Sequence, residues 1–333
     1  MKENIKVSVV VLAYNRENFI VDALDSIVKQ KVNFPFEIVI GEDRSTDNTA
    51  RICQEFQEKY PDIVRLTSNK ENLGLQENFV QSYNRCIGEY IAICDADDFW
   101  INRKKLQTQV DFLDQHKEYS ACFHRAINYY QNDGSKSISN GLHQKKINTV
   151  LDIINSNPVT FATVMFRRGL FGELPLWFNQ VKSNDFAIHV LNAEYGDYYF
   201  MNKVMSVYRR HKESVWGMST FEKQAQISVL SRQVLIDHYI DKNKSIYNKL
   251  VETYTNGCIR LVQYYQSIGN EEKVAETEQF IIKANPSFTI EQVKEMEKIR
   301  KTPLKKIISQ RIFRLVKVIR REISKLIPLP KIK

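Results

Sequence analysis

From Val7 to Tyr129 short Val/Ile-rich runs alternate with amphipathic stretches, and this alternation constrains the fold more than any other feature of the chain. Strands are predicted over Val7–Ala13, Glu37–Gly41, Val64–Ser68, Tyr90–Cys94 and Ser120–Tyr129. Helices are predicted between them, over Asn18–Gln30, Thr46–Tyr60, Gln76–Cys86 and Arg103–His116. The strands are apolar at consecutive positions, as a sheet covered on both faces demands. The first helix places Phe19, Ile20, Ala23, Leu24, Ile27 and Val28 on one side, the spacing that buries one helical face. The expected class is therefore α/β, a mixed and mainly parallel sheet with helices on both faces.

Residues 221–300 change register to three- and four-residue apolar spacings, predicting a helical region after the sheet. Within it, Tyr264 to Pro286 resembles one tetratricopeptide-type hairpin, which in single copy serves packing only. From Lys301 onward eleven Lys or Arg stand against Glu322 alone, a net +10, so residues 1–300 carry 9 − 10 = −1. A main body without a basic excess argues against nucleic acid as a partner. In the tail, Leu304, Ile308, Ile312, Leu315, Ile319, Ile323 and Leu326 fall mainly opposite Lys306, Arg314, Lys317, Arg321 and Lys325. Such a basic amphipathic helix suits an anionic membrane surface, although a helix docked on the protein with a solvated basic face has the same pattern. No stretch is long and apolar enough to span a bilayer, and the N-terminal run is read as a core strand rather than a signal peptide. Five scattered cysteines without a C-x-x-C pair read as buried thiols of a cytoplasmic protein.

In an open α/β sheet ligands collect beyond the carboxyl ends of the strands. Three loops there carry the chemistry. The run Ile91 to Trp100 ends a strand in Asp95, Asp97 and Asp98, three carboxylates within four residues. One can cap the next helix. Three so close repel unless a cation, most simply a divalent metal, neutralises them, and such a cation retains positions for phosphate oxygens. The loop Ala13-Tyr14-Asn15-Arg16 has no glycine, which excludes the dinucleotide and P-loop fingerprints. In Glu42-Asp43-Arg44-Ser45-Thr46-Asp47-Asn48, the residues from Ser45 can cap a helix, which leaves Asp43 to accept a hydrogen bond from a nucleobase N–H.

Taken in order, V-S-V-V-V-L-A-Y-N-R (Val7–Arg16), F-E-I-V-I-G-E-D-R-S-T-D-N-T (Phe36–Thr49), N-L-G-L (Asn72–Leu75) and G-E-Y-I-A-I-C-D-A-D-D (Gly88–Asp98) resemble the family 2 inverting glycosyltransferases of GT-A fold, of the type that builds bacterial surface polysaccharides. Where that family usually has Asp-Asp-Gly-Ser, this chain has Glu42-Asp43-Arg44-Ser45. The resemblance implies a nucleotide-sugar-binding half at residues 1–100, an acceptor-binding half at 101–220, a helical extension at 221–300 and the basic tail at 301–333. It implies Ala13, Tyr14, Arg16, Asp43, Asp95 and Ala96 around the nucleotide, with Tyr14 stacking on the base. It implies Asp97, Asp98 and His211, the last in a Y-R-x-H-like segment, toward a Mn²⁺ or Mg²⁺ that grips the diphosphate.

An inverting transfer also needs a base for the acceptor hydroxyl. By resemblance this is a carboxylate opening a later helix, and Asp185 in Lys182-Ser183-Asn184-Asp185 fits; the same residue can instead cap that helix. Arg209 and Arg210 are alternative phosphate ligands. Asn157–Arg168 reads as a buried strand under the acceptor, with Thr160 and Thr163 on it. The expected donor is a nucleoside-diphosphate sugar, with UDP the expected nucleotide. The expected acceptor is a glycan or lipid-linked hydroxyl at the inner face of the plasma membrane. Two other classes compete. A nucleotidyltransferase would place a Gly-rich basic loop after the first strand, and an inactive sugar-binding or scaffold protein would not need Asp95, Asp97, Asp98 and Asp185 together.

Overall fold

A computed structural model of the chain describes residues 4–141, 143–212 and 219–284. The chain divides into two compact units, one formed by residues 1–127 and 138–209, the other by 128–137 and 210–333. The tail, residues 301–333, lies outside the described residues.

The first unit begins with β1 (Val7–Ala13), α1 (Ile20–Val28), β2 (Phe36–Glu42), α2 (Thr49–Lys59), β3 (Val64–Ser68), α3 (Gly74–Arg85) and β4 (Tyr90–Ile93). It continues with β5 (Phe99–Trp100), α4 (Lys105–Gln115), β6 (Tyr119–Tyr130), β8 (Ile147–Asn148), α5 (Val150–Ser156), β9 (Met165–Arg167), α6 (Asn184–Ala193) and β10 (Asp197–Arg210), while the end of β6 from Asn128, Lys136 and Ser137 of β7 (Lys136–Ile138) and Arg210 of β10 fall in the second unit. The strands make one sheet in the order β3-β2-β1-β4-β9-β6-β10-β5, with β7 beside β6 and β8 beside β10. β3, β2, β1 and β4 are parallel, with Val7 level with Phe36 on one side and Tyr90 on the other. β9 then runs antiparallel to β4, so the sheet is mixed.

Every residue of β1 and β2 is buried, as their unbroken apolar runs require. Val9, Val11, Ile38 and Ile40 share one core with Ile20, Leu24 and Ile27 of α1 and Leu106, Val110 and Leu113 of α4. Successive strand residues face opposite ways, so Gly41 meets the other layer, and a Cβ there would lie 2.2 Å from Ser82 Oγ of α3. Helices thus cover both faces. All five cysteines are free and buried.

The reading of 157–168 as a strand needs correction. Asn157 adopts φ +28° after α5, Phe161–Thr163 form a 3-10 turn, and only Met165–Arg167 pair in the sheet. Thr163 is buried and its hydroxyl donates to the Thr160 carbonyl at 2.7 Å, so it packs rather than faces a ligand.

The second unit contains α7 (Phe221–Tyr239), α8 (Lys244–Ser267) and α9 (Glu271–Ala284). Thr220 caps α7 and Asn243 caps α8 with side-chain oxygens. Glu222 at the start of α7 accepts from Tyr265 near the end of α8 at 2.9 Å and from Lys273 in the first turn of α9 at 2.8 Å, so the three helices run up, down and up. No helix among the described residues is long and apolar enough to cross a membrane.

Candidate active site

The sheet order places β1 between β2 and β4, and the loops after these three strands meet at their carboxyl ends. The loop after β1 and the loop after β2 are stitched together. Asn15 N donates to Ser45 Oγ at 3.0 Å, Thr46 N to Asn15 Oδ1 at 2.8 Å, Arg16 N to Thr49 Oγ1 at 2.7 Å and Glu17 N to Asp47 Oδ2 at 3.1 Å. Asn15 and Arg44 both sit at positive φ, +51° and +61°. Ala13 is buried under this arch, while Tyr14 stands 43% exposed, free to offer a ring face.

Asp43 is placed differently from its sequence expectation. It is buried, and its Oδ1 accepts from Leu73 N at 2.8 Å and Asn69 Nδ2 at 2.9 Å while Oδ2 accepts from Gly74 N at 2.9 Å. The carboxylate therefore caps α3 from another loop, which ties the Asn72–Leu75 segment to the β2–α2 loop. One Oδ2 lone pair remains for a base N–H.

After β4, Asp98 N donates to the Asp95 carbonyl at 2.9 Å, closing a turn that buries Asp98 and leaves Asp97 partly exposed. Asp98 is fully buried, its Oδ1 accepting from Arg209 N at 2.9 Å and its Oδ2 making no hydrogen bond among the described residues. Burial, with Asp97 and Asp95 nearby, holds it well above the usual carboxylate range. Asp98 is thus a wall residue fixed to β10, and the metal role expected of it does not match this position. Ala96 is buried in the same turn. Asp97 is partly exposed and pairs with Arg16 Nε at 3.2 Å.

Asp95 is partly buried, and no described residue donates to its carboxylate. Burial pushes its pKa up to about 7, Asp97 and then Asp185 add to the rise, and Arg16 opposes it. Asp185 stands in the first turn of α6, accepting from the Ser183 hydroxyl and from Asn157 Nδ2, the latter at 3.2 Å. Its pKa is raised by burial against the lowering effect of these donors. The site thus gathers Asp95, Asp97, Asp185 and Arg16. His211 is buried and belongs to the second unit, as does Arg210, whose guanidinium lies 5.6 Å from the Tyr130 ring centre.

Arg209, one of the two alternative phosphate ligands, is built into the wall. Its guanidinium is buried, pairs with Asp22 of α1, donates to the Asp97 carbonyl at 3.1 Å and lies 4.5 Å from the Phe99 ring centre. Its backbone holds Asp98, so one residue of β10 braces two residues of the acid turn. The only sequence signal was a basic pair ending a strand. Lys105 was also missed: fully buried, 4.1 Å from the Trp100 ring centre and bonded to Gln109 Oε1 at 2.7 Å, it has a pKa that burial lowers to about 7.

Among the described residues no three His, Cys, Asp or Glu side chains converge as a preformed metal cage. Magnesium-like cations need only one or two carboxylates when substrate phosphates complete their shell. Asp95, short of donors and with a raised proton affinity, beside Asp97, supplies that hard oxygen set. These residues fit such a cation.

A parallel-led mixed sheet with an acid turn at its carboxyl edge defines a GT-A nucleotide-sugar transferase fold. Residues 8–174 match the family described as Glycosyl transferase family 2, and the chain belongs to that family. The uncharacterized protein Rv1520 of Mycobacterium tuberculosis (strain ATCC 25618 / H37Rv) is 33% identical over 210 residues, which are 63% of this chain and 60% of that protein. The chain thus spans about three-fifths of the length of this relative. Staphylococcus aureus TarS in complex with UDP-GlcNAc aligns with a TM-score of 0.53 at 18% identity, over 83% of this chain and 91% of that one. The mannosyltransferase PcManGT from Pyrobaculum calidifontis, in complex with GDP-Man and Mn²⁺, gives a TM-score of 0.55 at 18% identity over 98% and 88%. Both likenesses speak for the fold.

Proposed function

We propose that the chain is a metal-dependent, inverting glycosyltransferase that moves a sugar from a nucleoside diphosphate, UDP being the nucleotide favoured, to a hydroxyl of a glycan or lipid-linked acceptor during cell-surface polysaccharide synthesis. What supports this reading is the geometry at the carboxyl edge of the sheet: Asp95 and Asp97 in the turn after β4, Arg16 paired with Asp97 at 3.2 Å, and the Asp185 carboxylate in the first turn of α6, held by Ser183 and Asn157. Structural relatives bound to UDP-GlcNAc and GDP-Man support a nucleotide-sugar donor, and TarS, named a poly(ribitol-phosphate) beta-N-acetylglucosaminyltransferase, supports a surface-polymer acceptor.

In this mechanism Asp97 and Asp95 would hold Mn²⁺ or Mg²⁺, which would supply charge neutralisation for the leaving diphosphate. Asp185 takes the proton from the acceptor hydroxyl at its carboxylate oxygen. The freed oxygen attacks the anomeric carbon, the bond from that carbon to the diphosphate oxygen breaks, and configuration inverts. A carboxylate raised by burial is a stronger base than a solvated one, and Ser183 and Asn157 fix its orientation. Tyr14 offers its exposed ring to the base, and Arg16 shares charge between Asp97 and the incoming phosphates.

Incubating the protein with UDP-, GDP-, CDP- and dTDP-sugars and polyol or glycan acceptors, with Mn²⁺ or chelator, tests the reading. Metal-dependent product whose anomeric configuration is opposite to the donor's supports it; retained configuration or full activity in chelator overturns it. The basic segment 301–333 is proposed to hold the enzyme on an anionic leaflet. Deletion of that segment should release the protein from anionic vesicles, and unchanged sedimentation with them would refute the assignment.

A further inference from the structure

Arg44 occupies a backbone conformation that disfavours it. Its φ is +61°, in the left-handed region where a Cβ is strained and where glycine or asparagine is the usual occupant. The loop path is therefore one that glycine follows freely, and the arginine side chain is an addition to it.

The surrounding bonds force the conformation. On one side Asp43 N donates to the Ala13 carbonyl at 2.9 Å and the Asp43 carboxylate is locked on Leu73 and Gly74. On the other, Ser45 N donates to Glu42 Oε1 at 2.6 Å and Ser45 Oγ accepts from Asn15 N at 3.0 Å. Strain held in place this way is characteristic of ligand clamps. The Arg44 side chain is exposed and makes no hydrogen bond or ion pair among the described residues, so it repays nothing to the fold. It stands one residue from the contact with the Tyr14 loop, at the carboxyl end of β2.

We infer that Arg44 is a donor-recognition residue: its guanidinium binds an electronegative oxygen of the nucleoside diphosphate, and the strain at Arg44 is retained for that contact. The inference rests on the donor-site reading above. A planar fork of N–H donors suits base carbonyls and phosphate oxygens alike, so the ligand chemistry is an oxygen acceptor on the donor nucleotide.

The test combines thermal melting without ligand and calorimetric titration of wild type and Arg44→Gly with UDP and GDP in the presence of Mn²⁺. Uridine, guanosine and inorganic pyrophosphate serve as separate probes. Arg44→Gly should melt above wild type, because the strain is relieved, and should bind the preferred diphosphate at least tenfold more weakly. A loss shared by the nucleosides assigns the contact to the base; a loss shared by pyrophosphate assigns it to the phosphates. A variant that melts higher and binds within twofold of wild type overturns the inference, as does one that melts lower. If wild type binds no diphosphate, the donor-site reading itself fails, and no variant is needed to see it.

Discussion

Arg16 Nε lies 3.2 Å from Asp97 Oδ2, so the loop after β1 neutralises the acid turn after β4. The same guanidinium donates to the Asn15 carbonyl at 2.9 Å, which anchors it to the left-handed residue of its own loop. A cation entering at Asp97 must share this carboxylate with Arg16.

Replacing Arg16 with Gln removes that competition. A partly buried pair of this kind is worth about 1 kcal/mol, so Mn²⁺ affinity of the nucleotide-free protein should rise roughly fivefold by electron-paramagnetic titration. Weaker Mn²⁺ binding in the variant would show that Arg16 supports the cation site instead of competing for it.

Asp185→Asn keeps the shape of the side chain and removes the base; its amide oxygen can still accept from Asn157, while its NH2 must donate to Ser183, whose hydroxyl then accepts. Turnover should fall by a factor of about 10² to 10⁴ while nucleoside-diphosphate affinity stays within about twofold. A large loss of nucleotide binding would move Asp185 into the donor site.

Asp95 sets a pH dependence whose sign is fixed by burial. Its pKa in the fold is about 7 against 3.8 ordinarily, so the folded state holds an extra proton between these values. Stability from this group is full below pH 3.8 and is lost as pH rises through 7, by roughly 4 kcal/mol at most. Thermal melting between pH 4 and 8 should show this decline in the metal-free protein. Asp95→Asn should flatten it, and Mn²⁺ should offset it near pH 7.5. An unchanged slope in Asp95→Asn would remove Asp95 as its source.

Arg209→Ala should be destabilising. It unpairs Asp22, opens a cavity between Phe19 and Phe99 and frees the Asp97 carbonyl. Asp22 is 45% exposed and is re-solvated when unpaired, so the cost comes from the lost packing and the unsatisfied Asp97 carbonyl, about 1–3 kcal/mol, measurable by urea denaturation, and Arg209→Lys should recover part of it. A loss below about 1 kcal/mol would show that the acid turn does not depend on this brace.

The sheet was legible because its signals are local. The runs Val7–Ala13 and Val64–Ser68 coincide with β1 and β3, the first because a continuous apolar stretch bounded by polar loops leaves little choice of register, the second because Val64 and Leu66 alternate with polar residues as an edge strand does. The pivotal site assignments were less legible because partners far apart in sequence decide them. Asp43 is taken by Leu73 and Gly74, and Arg209 by Asp22, neither of which any local pattern links to them. Asp97 and Asp98 are chemically identical neighbours, and only the turn closed by Asp98 N on the Asp95 carbonyl sends one to solvent and one to the core. The segment 157–168 misled because a buried apolar run looks the same whether a sheet or a packed turn buries it.

The central claim, a cation-dependent diphosphate site on the acid turn, is tested most directly by calorimetric titration of UDP, GDP, CDP and dTDP into wild type and Asp97→Ala, each with Mn²⁺ and with chelator. The account predicts that one nucleotide binds wild type only with Mn²⁺ and that Asp97→Ala abolishes this binding. Equal binding in chelator, or undiminished Mn²⁺-dependent binding by Asp97→Ala, would contradict it.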